Sequence, residues 1–187
     1  VNAGKVTNKG IELALGFKQN IGPVDWKTTL LWSLNRNRID QLLPEYTNEE
    51  LGVTVHLDEM DVYSLGGAKQ RLTVGGSMGD VYVNTMRTDE HGYIWMNSMT
   101  GALETDKNNY VYAGNTNPKY TLSWRNEFNW KGISLGFMLN ARVGGIGVSA
   151  TQAVMDYYGV SKTSAEARDN GGVKVNGQMI DAQTWYQ

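Results

Sequence analysis

The chain contains no cysteine, which removes disulfide frameworks and thiolate metal sites and leaves the redox compartment unspecified. It has only two histidines, His56 and His91. Neither has a serine or carboxylate at a spacing that defines a catalytic triad, so no catalytic group is assigned and no enzyme is expected. Neither charge is in excess: 17 basic residues face 19 acidic ones, interspersed, for a formal net charge of -2. That balance lacks the basic patch by which nucleic-acid binders neutralise phosphates, so no nucleic-acid partner is expected. No apolar run approaches the ~18 residues of a membrane helix, and mean hydropathy is -0.42. A barrel strand needs only every second residue apolar, so this absence leaves strands as a route across a bilayer.

What the chain does have is alternation. Tyr120, Leu122, Trp124, Phe128 and Trp130 share one parity, and Lys119, Thr121, Ser123, Arg125, Glu127 and Asn129 share the other, with Asn126 alone breaking the apolar row. After Lys131-Gly132, the residues Ile133, Leu135, Phe137, Leu139, Ala141 and Val143 oppose Ser134, Gly136, Asn140 and Arg142. A period of two over such lengths predicts long antiparallel strands joined by a tight turn. An earlier pair obeys the same rule. Ile11, Leu13, Leu15 and Phe17 oppose Glu12, Ala14, Gly16 and Lys18. A turn over Asn20–Asp25 follows, where Gly22 tolerates unusual dihedrals and Pro23 cannot extend a ladder. Then Trp26, Thr28, Leu30, Trp32 and Leu34 oppose Lys27, Thr29, Ser33, Asn35 and Asn37, with Leu31 as the exception. An all-β chain is expected, with hairpins over 10–38 and 119–143.

Between the hairpins lies an excursion over 40–118. Ordinary connections run to roughly 4 to 6 residues, so this one must hold structure of its own. Leu72–Met86 is extended and glycine-rich, and Thr88–Gly92 predicts a hairpin turn into a strand at Tyr93–Met96. Over 144–187 the period becomes helical. Ser149 and Gln152 have capping-box spacing, Ala150, Ala153, Val154 and Tyr157 share a face, and Gly159 closes the segment. Thr163 with Glu166 opens a second short helix stopped by Asn170-Gly171-Gly172. With both short turns at one end of the strands, the excursion and the helical tail must emerge at the other. The pattern is already under way at Val1 and runs untapered to Trp185-Tyr186-Gln187, so the chain reads as an internal piece of a longer one.

A soluble sandwich alternates in the same way, but three features favour a membrane. Tyr120 and Trp130 stand ten residues apart on one face, which at ~3.3 Å per residue and ~45° tilt spans roughly 23 Å, near the ~25 Å apolar band of outer-membrane barrels. The opposite face is small and polar, with Gly16, Ser33, Ser123, Ser134, Gly136 and Asn140 suited to a hydrated lumen. Finally, the long loops collect at one end, as in barrels with short periplasmic turns and long extracellular loops. Phe17, Trp26, Trp32, Tyr120, Trp124, Phe128, Trp130 and Phe137 are therefore expected to face lipid. The alternative from another class is a soluble all-β module that binds carbohydrate at a surface. It would bury Trp124, Phe128 and Phe137. A passive porin is a third reading.

Short motifs along nearly the whole chain carry a family resemblance. These are Asn2-Ala-Gly-Lys-Val-Thr-Asn-Lys-Gly-Ile-Glu-Leu13, Val74-Gly-Gly-Ser-Met-Gly-Asp-Val-Tyr82, Gly114-Asn-Thr-Asn-Pro-Lys-Tyr120, Gly144-Gly145, Ala150-Thr-Gln152 and Ala165-Glu-Ala-Arg-Asp-Asn-Gly-Gly172. In this order they resemble SusC/RagA-type TonB-dependent outer-membrane transporters. Val83 and His91 depart from the pattern, standing where glycine and asparagine are more usual. The resemblance implies a transmembrane barrel of about 22 strands around an N-terminal plug, of which this chain is a late portion with long extracellular loops containing short helices. It further implies import of oligosaccharides or peptides with energy delivered through TonB, and a SusD-like surface lipoprotein as partner. No cofactor is expected.

Asp58-Glu59-Met60-Asp61 offers oxygen ligands, but without the glycine turn and terminal glutamate of an EF-hand loop no metal site is assigned. Gly75-Gly76-Ser77-Met78-Gly79 lacks the lysine-serine ending of a phosphate loop, so close backbone approach is the better account. Binding is the chemistry expected. Sugar rings stack on aromatic faces while their hydroxyls bond to carboxylates and amides. Tyr82, Trp95, Tyr110, Tyr112, Tyr157 and Tyr158, with Asp80, Asn108, Asn109 and Asp156 nearby in sequence, supply that mixture for substrate or partner. Packing within the loops is the competing role for each residue singly.

Overall fold

A computed structural model describes residues 4–187, so Asn2 and Ala3 of the first motif lie outside the described residues. In chain order the elements are β1 (Lys5–Ile21), β2 (Val24–Gln41), β3 (Leu43–Asn48), β4 (Val53–Leu57), β5 (Glu59–Leu65), β6 (Ala68–Thr73), β7 (Asp80–Met86) and β8 (Thr105–Asn115). Then come β9 (Tyr120–Trp130), β10 (Ile133–Val143), α1 (Ala150–Tyr157), α2 (Lys162–Asp169), β11 (Val173–Val175), β12 (Gln178–Ile180) and α3 (Ala182–Tyr186). With 59% strand against 11% helix the chain is all-β and mostly antiparallel.

The four long strands form one open sheet in the order β1-β2-β9-β10. Its register merges the apolar rows. Leu13 lies opposite Trp32, Leu30 opposite Trp124, and Phe128 opposite Leu135. Residues directly opposite in an antiparallel ladder share a face, so four apolar rows become one surface and four polar rows the other. Both expected hairpins form; the first runs beyond 10–38 at its open end, to Lys5 and Gln41, and its turn narrows to Gly22-Pro23. Gly22, at φ 58, takes the first central position of a two-residue hairpin turn, which requires positive φ. At the second turn Lys131 and Gly132 are both at positive φ, 45 and 85, as a type I′ connection demands.

Pairing between β2 and β9 runs from Val24–Trp130 to Ser33–Thr121. The excursion therefore leaves and rejoins this sheet at the end away from its turns, and β10 finishes at that same end, with Val143 opposite Tyr120. Among the described residues the buried hydrophobic side chains are Ile39, Ala68, Val81, Val175 and Ala182, none of them on the apolar surface, whereas Ile11 is 59% and Leu135 62% exposed.

Within the excursion β3 and β4 pair as a hairpin, and β5-β6-β7-β8 make a second four-stranded sheet. The expected run Leu72–Met86 is interrupted between β6 and β7. The turn at Thr88–Gly92 forms, with the Asp89 carboxylate accepting from the N–H groups of His91 and Tyr93, each at 2.9 Å. Tyr93–Met96 does not become a strand. Isolated bridges, Thr88 to Ile94 and Met96 to Leu103, are what it makes. The reason lies far along the chain. The Asn176 side chain accepts from the Ile94 N–H (3.1 Å) and donates to the Ile94 carbonyl (2.7 Å), occupying groups that a neighbouring strand would need.

In the tail, Ser149 caps α1 as expected, but Gln152 donates its side-chain amide to Asp156 rather than back to the cap. The helix face that includes Val154 and Tyr157 is exposed. Helix α2 is capped by Ser161 and not by Thr163. A short hairpin of β11 and β12 and helix α3, capped by Asp181, complete this stretch. Two compact units can be distinguished: one of the chain up to Val62, Arg71–Asp80 and Gly114–Ile146, the other of Tyr63–Gln70, Val81–Ala113 and Gly147–Gln187. They interleave along the sequence, so the excursion 40–118 divides between them.

Candidate binding site

In the first unit, Asp80 is buried at 7% exposure. Its carboxylate accepts from the Ser77 N–H and from the Asn115 amide, both at 2.7 Å. Asn37 of β2 accepts from the Ser77 hydroxyl (2.6 Å) and the Met78 N–H (2.8 Å), while Thr116 donates its N–H to the Gly79 carbonyl (2.8 Å). The fit is tight. A Cβ at Gly76 would stand 2.8 Å from Asp80 Oδ2, and one at Gly79 would stand 2.6 Å from Asn115 Oδ1. Close backbone approach is thus what Gly76 and Gly79 require, whereas Gly75 has open space and a φ of 86. Asp80, expected to meet substrate or partner, braces its own loop at Ser77 with one carboxylate oxygen and ties it to Asn115 with the other, while Asn37 makes the tie to β2.

The acidic stretch of the same unit is also engaged. Arg71 places Nε 2.7 Å from Asp61 and Nη1 3.1 Å from Glu59, and among the described residues no three metal-ligating side chains converge.

In the second unit, β6 and β7 pair with Lys69 opposite Tyr82. Tyr82 meets Tyr112 edge-on at 5.7 Å, and the Lys69 ammonium lies 3.4 Å from the centre of the Tyr110 ring, a cation–π distance. Trp95 is covered in the same way by the Arg87 guanidinium at 4.3 Å, while Arg87 also reaches Glu104 at 3.0 Å. Asn109 donates to Thr85 (3.3 Å), and the Asn108 N–H bonds the Asp106 carboxylate.

Asp156, Tyr157 and Tyr158, expected at a site, line one cavity. It measures about 280 Å³ and is also lined by Arg168, Gln183 and Tyr186, among others. Tyr157 and Tyr158 meet edge to face at 5.2 Å. Arg168 donates to the Gly159 carbonyl, and Gln187 donates to that of Tyr157. A hydrogen bond from Ser161, with further ones from Thr163 (3.0 Å) and Gln152 (2.8 Å), holds the Asp156 carboxyl below its ordinary value against an opposing desolvation. Aromatic faces, a carboxylate, a guanidinium and an amide around one hollow can stack on a sugar or peptide and hydrogen-bond its polar groups.

The expected residues therefore gather as the Tyr82–Tyr112 pair with Tyr110, Trp95 under Arg87, and the Asp156–Tyr158 hollow, while Asp80 serves the first unit's loop. Sequence reasoning missed Arg168, Gln183 and Tyr186. Asp181 followed by Gln183 and Thr184, whose N–H groups it accepts from, is the capping signal that would have found α3.

The fold class is an antiparallel all-β chain whose principal sheet is open. No family model matches it, and no curated protein matches it either.

Proposed function

We propose that this chain is a late portion of the barrel of a SusC/RagA-type TonB-dependent importer in the cell outer membrane. It takes up oligosaccharides or peptides with a SusD-like lipoprotein above and TonB below. One observation carries the reading: the sheet β1-β2-β9-β10 presents a continuous apolar face whose Ile11, Leu13, Leu15, Phe17, Leu135 and Leu139 are exposed among the described residues. Exposed apolar patches of this kind meet a partner or a lipid phase. The strand rims support lipid, since Trp26 stacks on Phe128 at 6.2 Å near the turns and Trp32 meets Tyr120 at 6.4 Å towards the other end, amphipathic rings at both edges of the band. The eight residues expected to face lipid all belong to this surface by register. The motif series of the sequence supplies the family.

The soluble carbohydrate-binding module would need Trp124, Phe128 and Phe137 inside a core, whereas Trp124 and Phe137 are each 43% exposed and Phe128 is half-buried. In the importer the hollow of Asp156, Tyr157 and Tyr158 is where extracellular substrate is held. The test is fractionation of the full-length protein. It should leave the outer membrane only with detergent and migrate differently before and after heating. Recovery as a folded soluble monomer would overturn the reading.

A further inference from the structure

At the end of the sheet away from its turns, the apolar face becomes cationic within one register step. Ile11 lies opposite Leu34; the next pair on that face is Lys9 opposite Arg36, and the next is Thr7 opposite Arg38. Side chains two apart along a strand share a face, so Lys9, Arg36 and Arg38 stand on the side of Leu13 and Trp32. Like charges placed directly opposite repel, and all three residues are exposed. Among the described residues none of the three has a carboxylate at ion-pair distance. Arg36 uses Nη1 on carbonyl oxygens, Lys119 at 2.9 Å among them, which stretches it along the rim towards β9 without matching its charge. Of the neighbouring acids, Asp40 reaches the same face, where it accepts from Thr7 and leaves the three cations in excess, and Glu12 belongs to the opposite face.

We infer that this basic rim binds the phosphate groups of a glycolipid in the leaflet beside the long loops. The proposal rests on the outer-membrane reading. Cations that border an apolar band lie at headgroup depth, where an anion bridging Lys9 and Arg36 converts their repulsion into attraction. Arginine offers a planar fork to phosphate oxygens and lysine a point charge.

Full-length protein in detergent should show a higher thermal midpoint with phosphorylated lipid A, and little change with dephosphorylated lipid A or with inorganic phosphate at equal concentration. The triple variant Lys9→Gln/Arg36→Gln/Arg38→Gln should bind the phosphorylated lipid on the order of a hundredfold more weakly. Equal responses to the two lipids, or equal binding by the variant, would overturn the proposal, and inorganic phosphate reproducing the full shift would reassign the rim to a free anion. The lipid comparison uses wild-type protein and stands even if the variant fails to fold. Absence of wild-type protein from the outer-membrane fraction would instead remove the parent reading.

Discussion

Asn126 interrupts the apolar row of β9, yet it is 1% exposed. Its register neighbours are Thr28 and Phe137, and the rings of Trp26, Phe128, Phe137 and Trp124 contact one another around it. The Trp26 indole donates to its Oδ1 at 3.1 Å, while Nδ2 has no acceptor. The polar group is tolerated because aromatic rings seal it and one of them needs its oxygen. Replacing it with a charge should be far worse than replacing it with an apolar residue. Asn126→Asp is expected to cost roughly 3 to 5 kcal/mol as an uncompensated buried carboxylate, and Asn126→Leu about 1 kcal/mol for the orphaned indole. Denaturant titration followed by tryptophan fluorescence measures both, and equal costs would refute the account. At Asp156 the expectation concerns pH. Its folded pKa lies below the ordinary value of 3.8, so its hydrogen bonds stabilise the α1–α2 corner above that value. That stabilisation is lost as pH falls through the folded pKa. Amide shifts of Gln152 and Thr163 should move together in that acidic range, and Asp156→Asn should abolish the transition.

At the scale of elements, the 75–79 loop is a fastening between β2 and the 115–117 segment. Asp80→Ala removes the acceptor for two donors and should cost roughly 1 to 3 kcal/mol, read as faster hydrogen exchange of Ser77 and Thr116. Gly79→Ala should do likewise by collision with Asn115 and Asn117. Unchanged protection in both variants would show the fastening to be incidental. The long strands were legible from residues alone because a period of two repeats many times in β1, β2, β9 and β10. The short elements were not. Each of β11 and β12 has three residues, too few for a period, although Asn176-Gly177 between them is a strong hairpin signal. Tyr93–Met96 has strand composition, but Asn176 decides its state from a separation of 82 residues. The candidate site was legible by residue type and not by grouping: Tyr157 and Tyr158 were foreseen, whereas Arg168 and Tyr186 join them only through the packing of short helices.

For the molecule as a whole, the open sheet governs behaviour. Among the described residues, edge strands β1 and β10 each leave a row of backbone donors and acceptors without a ladder partner, beside an exposed apolar face. This chain expressed by itself in water should sediment as aggregate and need detergent to disperse. A monodisperse aqueous monomer with a cooperative unfolding transition would contradict that expectation. Inside a bilayer the same features are requirements, since a spanning sheet must find strands for both edges and lipid for one face.

The β2–β9 junction carries a consequence for the order of assembly. Each hairpin closes across two residues, but Trp26 and Asn126, which meet at the junction, are 100 residues apart. Loop-closure entropy delays such contacts until the intervening chain is compact. The two hairpins should therefore exist early as separate ribbons, and their zipping together should be the slow step. Quenching of Trp26 would report that step in refolding kinetics, and substitutions within the excursion would change its rate without touching either ribbon.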